Sequence, residues 1–403
     1  MKFPILLKAV IFVCMCTFLN TNGQETNTPK FGKGLFNLVG KDSTWTMKVG
    51  FRFQTLATSQ WDVNNGLSNP ETSMLIRRSR LKFNGFAYSP KLEYKVELGL
   101  SNRDLSGGSE YTHNSPRYIM DAVLKWNFSG NFVLWFGQTK LPGNRERVIS
   151  SGNLQMIDRS LLNSRFNIDR DIGLQLKHKT KLSETFLMKE TLSISQGEGR
   201  NVTTGNEGGH QYTARVEFFP FGDFTSKGDY KGSDLKFEEH QKLSVAFGYN
   251  INKDAARTRG NQGDYMINNS GSLYSTDVSN VFIDAMYKYK GFSLMAEYAT
   301  RKADDAFAKN ADGTLTGDTV QVGNGLNLQS GYLLSKTVEV SARYTNITLD
   351  KNITGKGAEN QYTLGVSKYI AGHKLKVQTD VSYTDIGFKS NQLLFRLQVD
   401  IHF

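Results

Sequence analysis

Arginine is the residue type in this chain best suited to chemistry, and that chemistry is the recognition of anions. Arg78, Arg80 and Lys82 alternate along one face of an extended run, and Lys48 and Arg52 share the corresponding face of a run just upstream. A planar guanidinium donates paired hydrogen bonds to phosphate or carboxylate, whereas a lysine ammonium acts more as a point charge. Like charges on neighbouring strands repel, so these five side chains need acidic partners or a passing anion. Folding the chain back about Ser89-Pro90 sets Lys82 opposite Glu97, Arg80 opposite Gly99 and Arg78 opposite Ser101. In that register Lys82 is neutralised, while Arg78 and Arg80 are not, apart from a diagonal reach from Glu97 to Arg80. A structural wall paired with loop acids is the plainer alternative.

A second basic stretch, residues 138–170, sets Lys140, Arg145, Arg147, Arg159, Arg165 and Arg170 against Glu146, Asp158, Asp169 and Asp171. Folded into a pore, it would bring Arg145 or Arg147 to the narrowest point; left outside, it is ordinary loop charge. Elsewhere Lys125, Lys189, Arg215, Arg343 and Arg396 are matched by Asp121, Glu217, Asp284, Glu297, Glu339 and Asp400. Mixed signs of this kind make salt-bridged walls in which each pair contributes little. Catalysis finds no support. The six histidines fall in six separate segments, with no nucleophile elbow and no metalloprotease helix. The expectation is therefore a protein that is not an enzyme and needs no cofactor or metal. Asp304, Asp305, Asn310 and Asp312 match no complete calcium loop and read as a solvated turn.

The elements that position these charges are strands. Leu393, Phe395, Leu397, Val399, Ile401 and Phe403 alternate with Gln392, Leu394, Arg396, Gln398, Asp400 and His402. One face is apolar and the other mostly polar, as a strand between lipid and water requires. Trp45, Met47, Val49, Phe51 and Phe53 repeat the pattern at the other end of the chain, and Leu243 to Ile251 and Val281 to Tyr289 repeat it between. Tight turns at Ser89-Pro90, Ser129-Gly130-Asn131, Leu182-Ser183, Lys290-Gly291, Ser335-Lys336 and Ala371-Gly372 alternate with longer polar segments. Phe221 to Gln241 is the exception, a long segment on the short-turn side. The fold class expected is all-β: one transmembrane antiparallel β-barrel of about 16 strands, with short periplasmic turns and long extracellular loops.

The N-terminus sets the compartment. Lys2 and Lys8 precede an apolar stretch from Ala9 to Leu19, and small or polar residues follow at Asn22, Gly23 and Gln24. This reads as a secretory leader, residues 1–23, cleaved near Gly23. Residues 24–43 make a short periplasmic lead and 44–403 the barrel. Both cysteines, Cys14 and Cys16, leave with the leader, so no disulfide framework remains. The leader removes two lysines and no acid, taking the net charge from +11 to +9. That balance favours anionic solutes or lipopolysaccharide as partners, and without a recognition motif or basic tail nucleic acid is not expected.

Several segments resemble the phosphate-selective porin O and P family. They are Arg77-Arg78-Ser79-Arg80-Leu81-Lys82-Phe83-Asn84-Gly85 with Lys91-Leu92-Glu93-Tyr94-Lys95, and Trp135-Phe136-Gly137-Gln138-Thr139-Lys140 with Ile157-Asp158-Arg159-Ser160-Leu161. Ala214 to Phe221 and the hairpin from Tyr362 through Gly372, His373 and Lys376 complete the set. The resemblance implies a homotrimer in the outer membrane of a Gram-negative cell, its third loop (138–170) folded into each pore as a constriction. It implies passive diffusion of small hydrophilic solutes, preferentially anions, with phosphate or polyphosphate as the expected cargo. Arg78, Arg80, Lys48, Arg52, Lys82, Arg145 and Arg147 are the candidate anion-binding and pore-lining residues. A general non-selective porin and a non-conducting adhesin or structural barrel are the alternatives.

Overall fold

The computed structural model describes residues 29–203, 209–387 and 390–403; the leader expected at 1–23 lies outside the described residues. Among these, sixteen strands form one closed sheet: β1 Thr46–Asp62, β2 Glu71–Ala87, β3 Ser89–Gly99, β4 Ile119–Ser129, β5 Phe132–Lys140, β6 Arg170–Lys181, β7 Leu187–Ser195 and β8 Gln211–Phe219 make the first half. The second half is β9 Lys242–Ala255, β10 Thr276–Tyr289, β11 Phe292–Ala303, β12 Gly323–Ser335, β13 Val338–Leu349, β14 Glu359–Tyr369, β15 Leu375–Ile386 and β16 Gln392–His402. Each strand pairs antiparallel with its sequence neighbours, and β16 closes on β1 from Gln392↔Asp62 to His402↔Arg52. Closure satisfies the backbone of both end strands, which an apolar surrounding demands.

The alternation read from the sequence determines which side chains face out. On β16, Phe395, Leu397 and Val399 are 39–43% exposed, while Arg396, Gln398 and Asp400 are buried. Apolar outside and polar inside inverts the arrangement of a soluble protein and is that of a lipid-facing barrel. No helix among the described residues is long and apolar enough to cross a membrane; the crossing elements are strands.

Short turns occupy one rim. Lys290 and Gly291 both take positive φ (45° and 84°) and join β10 to β11 in two residues, the geometry whose twist suits a hairpin. The long segment 220–241, between β8 and β9 on this rim, folds inward. Lys288 of β10 donates to the carbonyls of Gly228, Lys231 and Ser233 at 3.0, 2.9 and 2.7 Å, and Ser233 Oγ donates to Glu339 at 2.6 Å.

Two local features depart from simple alternation. A short strand, Phe36–Val39 in the N-terminal lead, pairs with the start of β1 (Phe36↔Val49 to Val39↔Thr46), beyond the point where β16 ends. And β2 carries a bulge: Gln54 pairs with Arg78 and Thr55 with Ile76, leaving Arg77 as the extra residue. A bulge turns its extra side chain out of the strict alternation, so Arg77 joins Arg78 on the lumen side.

Candidate functional site

The connection from β5 to β6 does not stay outside. Residues 141–169 fold into the barrel and lie against the wall from β9 to β16. Leu141, Leu162, Phe166 and Ile168 pack on Phe282, Ala299, Ile347 and Leu349 in a buried apolar cluster, so part of the lumen is filled much as a soluble core would be. Polar anchors fix the rest. Arg145 is fully buried, with Nε 2.9 Å from Asp284 and a terminal nitrogen 2.7 Å from Glu217. Glu146 accepts from the Ser160 hydroxyl at 2.6 Å, and its own backbone N–H donates to Glu297 at 2.7 Å. Arg52 holds Asp400 through two nitrogens (2.8 and 2.7 Å) and donates to the Ser151 hydroxyl at 2.6 Å. Gln155 donates to Ser293 (2.8 Å) and Glu339 (2.7 Å), close enough to the wall that a Cβ on Gly331 would lie 2.0 Å from its amide.

The loop then presents Asp158 to β2 and β16. Its carboxylate meets Arg77 at 2.6 Å, Arg78 at 3.4 Å and Arg396 at 3.3 Å, and Arg343 donates to its backbone carbonyl at 2.8 Å. Burial alone would raise this carboxyl, but the three guanidiniums hold it well below the usual carboxylate range.

What remains open is a cavity of about 1130 Å³, bounded chiefly by β2 to β8 and the exposed side of the loop. Among the described residues its lining includes twenty lysines and arginines and eight aspartates and glutamates. Some of the charge is balanced. Arg80 binds Asp104 (3.0 Å) and Glu97 (3.0 Å), Lys95 bridges Glu97 (2.8 Å) and Asp121 (2.6 Å), and Arg170 reaches Asp121 at 3.1 Å. Other cations are held by neutral groups. Lys140 donates to the carbonyls of Arg147 and Ile149 at 2.8 and 3.0 Å, and Arg159 to those of Glu146 and Ile149 at 2.8 and 2.7 Å. Lys125 and Lys177 lie over the Trp135 ring, 4.5 and 4.2 Å from its centre. Burial, and then the Arg170 and Arg80 guanidiniums against the pull of Glu146, push Arg159 down to about 10. Arg147, paired with Asp169, is lowered by burial and then by Arg159 and Arg170. The wall is short of negative charge where the loop faces β2 and β6.

The seven candidates separate. Arg78, Arg80 and Arg147 line this cavity. Arg145 does not reach it: its partners on β8 and β10 draw it into the packed side of the loop. Arg52 is likewise an anchor, bound between Asp400 and Ser151. Lys48 lies at the short-turn rim, where a Cβ on Gly34 would lie 3.0 Å from its Cε. The expected charge pairing on β2 is reversed. Lys82 stands opposite Glu97 as the register requires, yet Glu97 turns to Arg80 and Lys95, so Lys82 is the one left exposed. The helical turn Asn102–Leu105 supplies the Asp104 that completes Arg80, and strand alternation carries no information about such a turn. Arg77 was missed because strict alternation sends it to lipid; only the adjacent Arg77-Arg78 pair hinted at a break in period.

A model of the family described as phosphate-selective porin O and P matches residues 47–389, most of the chain. An uncharacterized protein of Aquifex aeolicus (strain VF5) is 25% identical over 342 residues, covering 80% of this chain and 75% of its own length. The fold is similar to that of an anion-selective porin from Comamonas acidovorans (TM-score 0.56, 12% identity, 89% of this chain and all of that one). It is also similar to the outer-membrane protein OmpT of Vibrio cholerae (TM-score 0.53, 12% identity, 91% of this chain and all of that one). A trimer form of that protein aligns with a TM-score of 0.52 at 14% identity, covering 89% of this chain and 99% of the other.

Proposed function

This chain belongs to the phosphate-selective porin O and P family and forms an outer-membrane porin channel, and we propose that the channel prefers anions, with phosphate among its solutes. The observation that carries this reading is the imbalance of charge along the open side of the lumen, twenty cations to eight acids. A water-filled path lined by one sign of charge concentrates solutes of the other sign and speeds their entry.

Arg77 and Arg78 are the residues that would hold an oxyanion in passage. They share one carboxylate, Asp158, and guanidinium pairs suit phosphate geometry. Arg147 and Arg159 line the same cavity from the loop and supply further positive potential. Arg80, neutralised by Asp104 and Glu97, contributes to the wall more than to the anion. An incoming phosphate displaces nothing covalent; it offsets like-charge repulsion that the protein balances only in part, and leaves as readily because the neighbouring cations offer further stops.

The same reading includes export by a leader at 1–23, a periplasmic lead at 24–43, a barrel from 44 to 403, contact with lipopolysaccharide and assembly as a homotrimer. The test is planar-bilayer electrophysiology of the purified protein. An anion-preferring reversal potential in a salt gradient, with current reduced by added phosphate, supports the proposal. Preference for cations, or indifference to sign and to phosphate, makes the channel a general porin whose arginines are structural.

A further inference from the structure

The outer wall of the barrel carries a pair of groups that contact with lipid tails does not explain. On β6 and β7 the side chains facing the lumen are Lys177, Lys179, Lys189 and Thr191, all on the open cavity. The residues between them face outward, and there the apolar run is interrupted, because His178 stands opposite Glu190. An imidazole nitrogen lies 3.2 Å from the carboxylate, and the two side chains are 27% and 32% exposed. Their outward neighbours are apolar: Phe132 on β5, Val216 on β8, and Leu176 and Leu192 on the strands themselves. Other charges in the outward phase, such as Asp277, Lys302, Lys368 and Asp385, lie one residue from a strand end. His178 and Glu190 lie deeper, with the pairs from Lys179↔Lys189 to Lys181↔Leu187 between them and the turn, about 10 Å along the strand.

Aromatic rings mark this level as the membrane interface. The imidazole stacks on Phe132 with centres 4.0 Å apart, and Phe128 and Trp126 continue the row at 6.1 and 5.5 Å. A carboxylate turned toward lipid is unfavourable unless it is paired. Here the pairing is incomplete. The ring nitrogen that meets Glu190 also meets the Thr180 hydroxyl at 3.1 Å, and no other donor reaches the carboxylate among the described residues. An imidazole is a cation only part of the time near neutral pH, so the wall does not by itself offset the charge. The group that completes the pair must come from the lipid side at interface depth, carry positive charge and donate hydrogen bonds. An anionic headgroup is repelled, and a quaternary ammonium has no N–H to give. A primary ammonium satisfies all of these conditions.

We propose that Glu190, positioned by His178, is a docking point on the outer wall for the primary ammonium of a phospholipid headgroup. It faces away from the conducting path and does not depend on whether the channel selects anions. The test is native mass spectrometry of the purified full chain in detergent, given equal amounts of phosphatidylethanolamine and phosphatidylcholine with the same acyl chains. The two headgroups carry the same net charge, but only the first has N–H groups to donate. The protein is expected to retain phosphatidylethanolamine over phosphatidylcholine about fivefold, the upper range for a partly exposed ion pair. Glu190→Gln is expected to bring that ratio close to one, whereas Glu184→Gln in the adjacent turn leaves it unchanged. His178→Phe keeps a ring against Phe132 but loses the nitrogen, and is expected to lower the ratio in the same direction. Each variant is first checked for unchanged single-channel conductance, which a misfolded barrel would lose; if Glu190→Gln fails that check, His178→Phe decides. A ratio near one in the native protein, or one that the substitutions do not lower, overturns the proposal. So does an oligomer that falls to single chains in Glu190→Gln, which would assign the pair to a contact between copies.

Discussion

Asp158→Asn removes one negative charge from the point where the inward-folded loop meets β2 and leaves the shape almost unchanged. In the native protein that carboxylate lies 2.6 Å from Arg77, 3.4 Å from Arg78 and 3.3 Å from Arg396. Arg396 keeps a second partner, Asp380, at 2.7 Å, and the loop keeps the bond from Arg343 to the Asp158 carbonyl. Arg77 and Arg78 lose their shared counter-charge. The Asp158 side chain is 21% exposed, so it acts through a medium between protein and water. An anion passing about 5 Å away is repelled by roughly 1 kcal/mol in the aqueous limit and about 3 kcal/mol at an effective dielectric constant of 20. Taking the lower figure, removal of the charge eases anion passage about fivefold and hinders a cation by a similar factor, so the anion-to-cation permeability ratio rises about twenty-fivefold. The gain is read from the reversal potential in a shallow gradient at low ionic strength, and shrinks in about 1 M salt, where screening is nearly complete. A simple loosening of the loop would raise conductance without moving the reversal potential. That result, or a shift toward cations, would refute the electrostatic reasoning.

Four further outcomes follow from the same geometry. Arg77→Ala/Arg78→Ala should abolish block by phosphate and lower anion preference, measured as phosphate titration of single-channel current. Arg80→Gln should leave phosphate block intact while lowering resistance to unfolding toward the ~3–5 kcal/mol loss of a broken buried pair, because it leaves Asp104 unpaired and Glu97 only with Lys95; denaturant titration and bilayer recording separate the two effects. Arg145→Met should also destabilise, by a similar ~3–5 kcal/mol, and should make current noisier, since Asp284 and Glu217 then keep only Arg215 and the loop loses a fully buried anchor. Gly232→Val should have the same noisy signature from the other side, because a Cβ there would lie 2.7 Å from Gln155 of the loop; unchanged traces would show that segment 220–241 does not brace the loop.

The barrel was legible because its rule is local. A lipid-facing strand must alternate, and the alternation of β16 or β10 is visible without knowledge of any neighbour. The short turns were legible for the same reason, as was the odd length of 220–241, although nothing in its composition says that it folds inward. The site was harder. Arg78 and Lys82 share a face by periodicity, but which of them meets an acid depends on side-chain reach and on a helical turn from another connection. Asp104 and Asp158 arrive from loops, so their partners in sequence are invisible. Arg145 shows the limit most plainly. A basic loop residue reads as exposed charge or as pore lining, yet three acceptors on β8, β9 and β10 converge on it only after the barrel has closed. Arg77 needed a one-residue bulge, and a bulge is set by the pairing of two strands rather than by either one.

The central claim is that the open side of the lumen favours anions because its positive charge exceeds its negative. The most direct measurement is the zero-current potential of the purified channel in a planar bilayer under a tenfold potassium chloride gradient. The account predicts a potential whose sign reports chloride as the more permeant ion, moving toward zero in Arg77→Ala/Arg78→Ala and further from zero in Asp158→Asn. A potential of the opposite sign, or one that neither substitution moves, would contradict it.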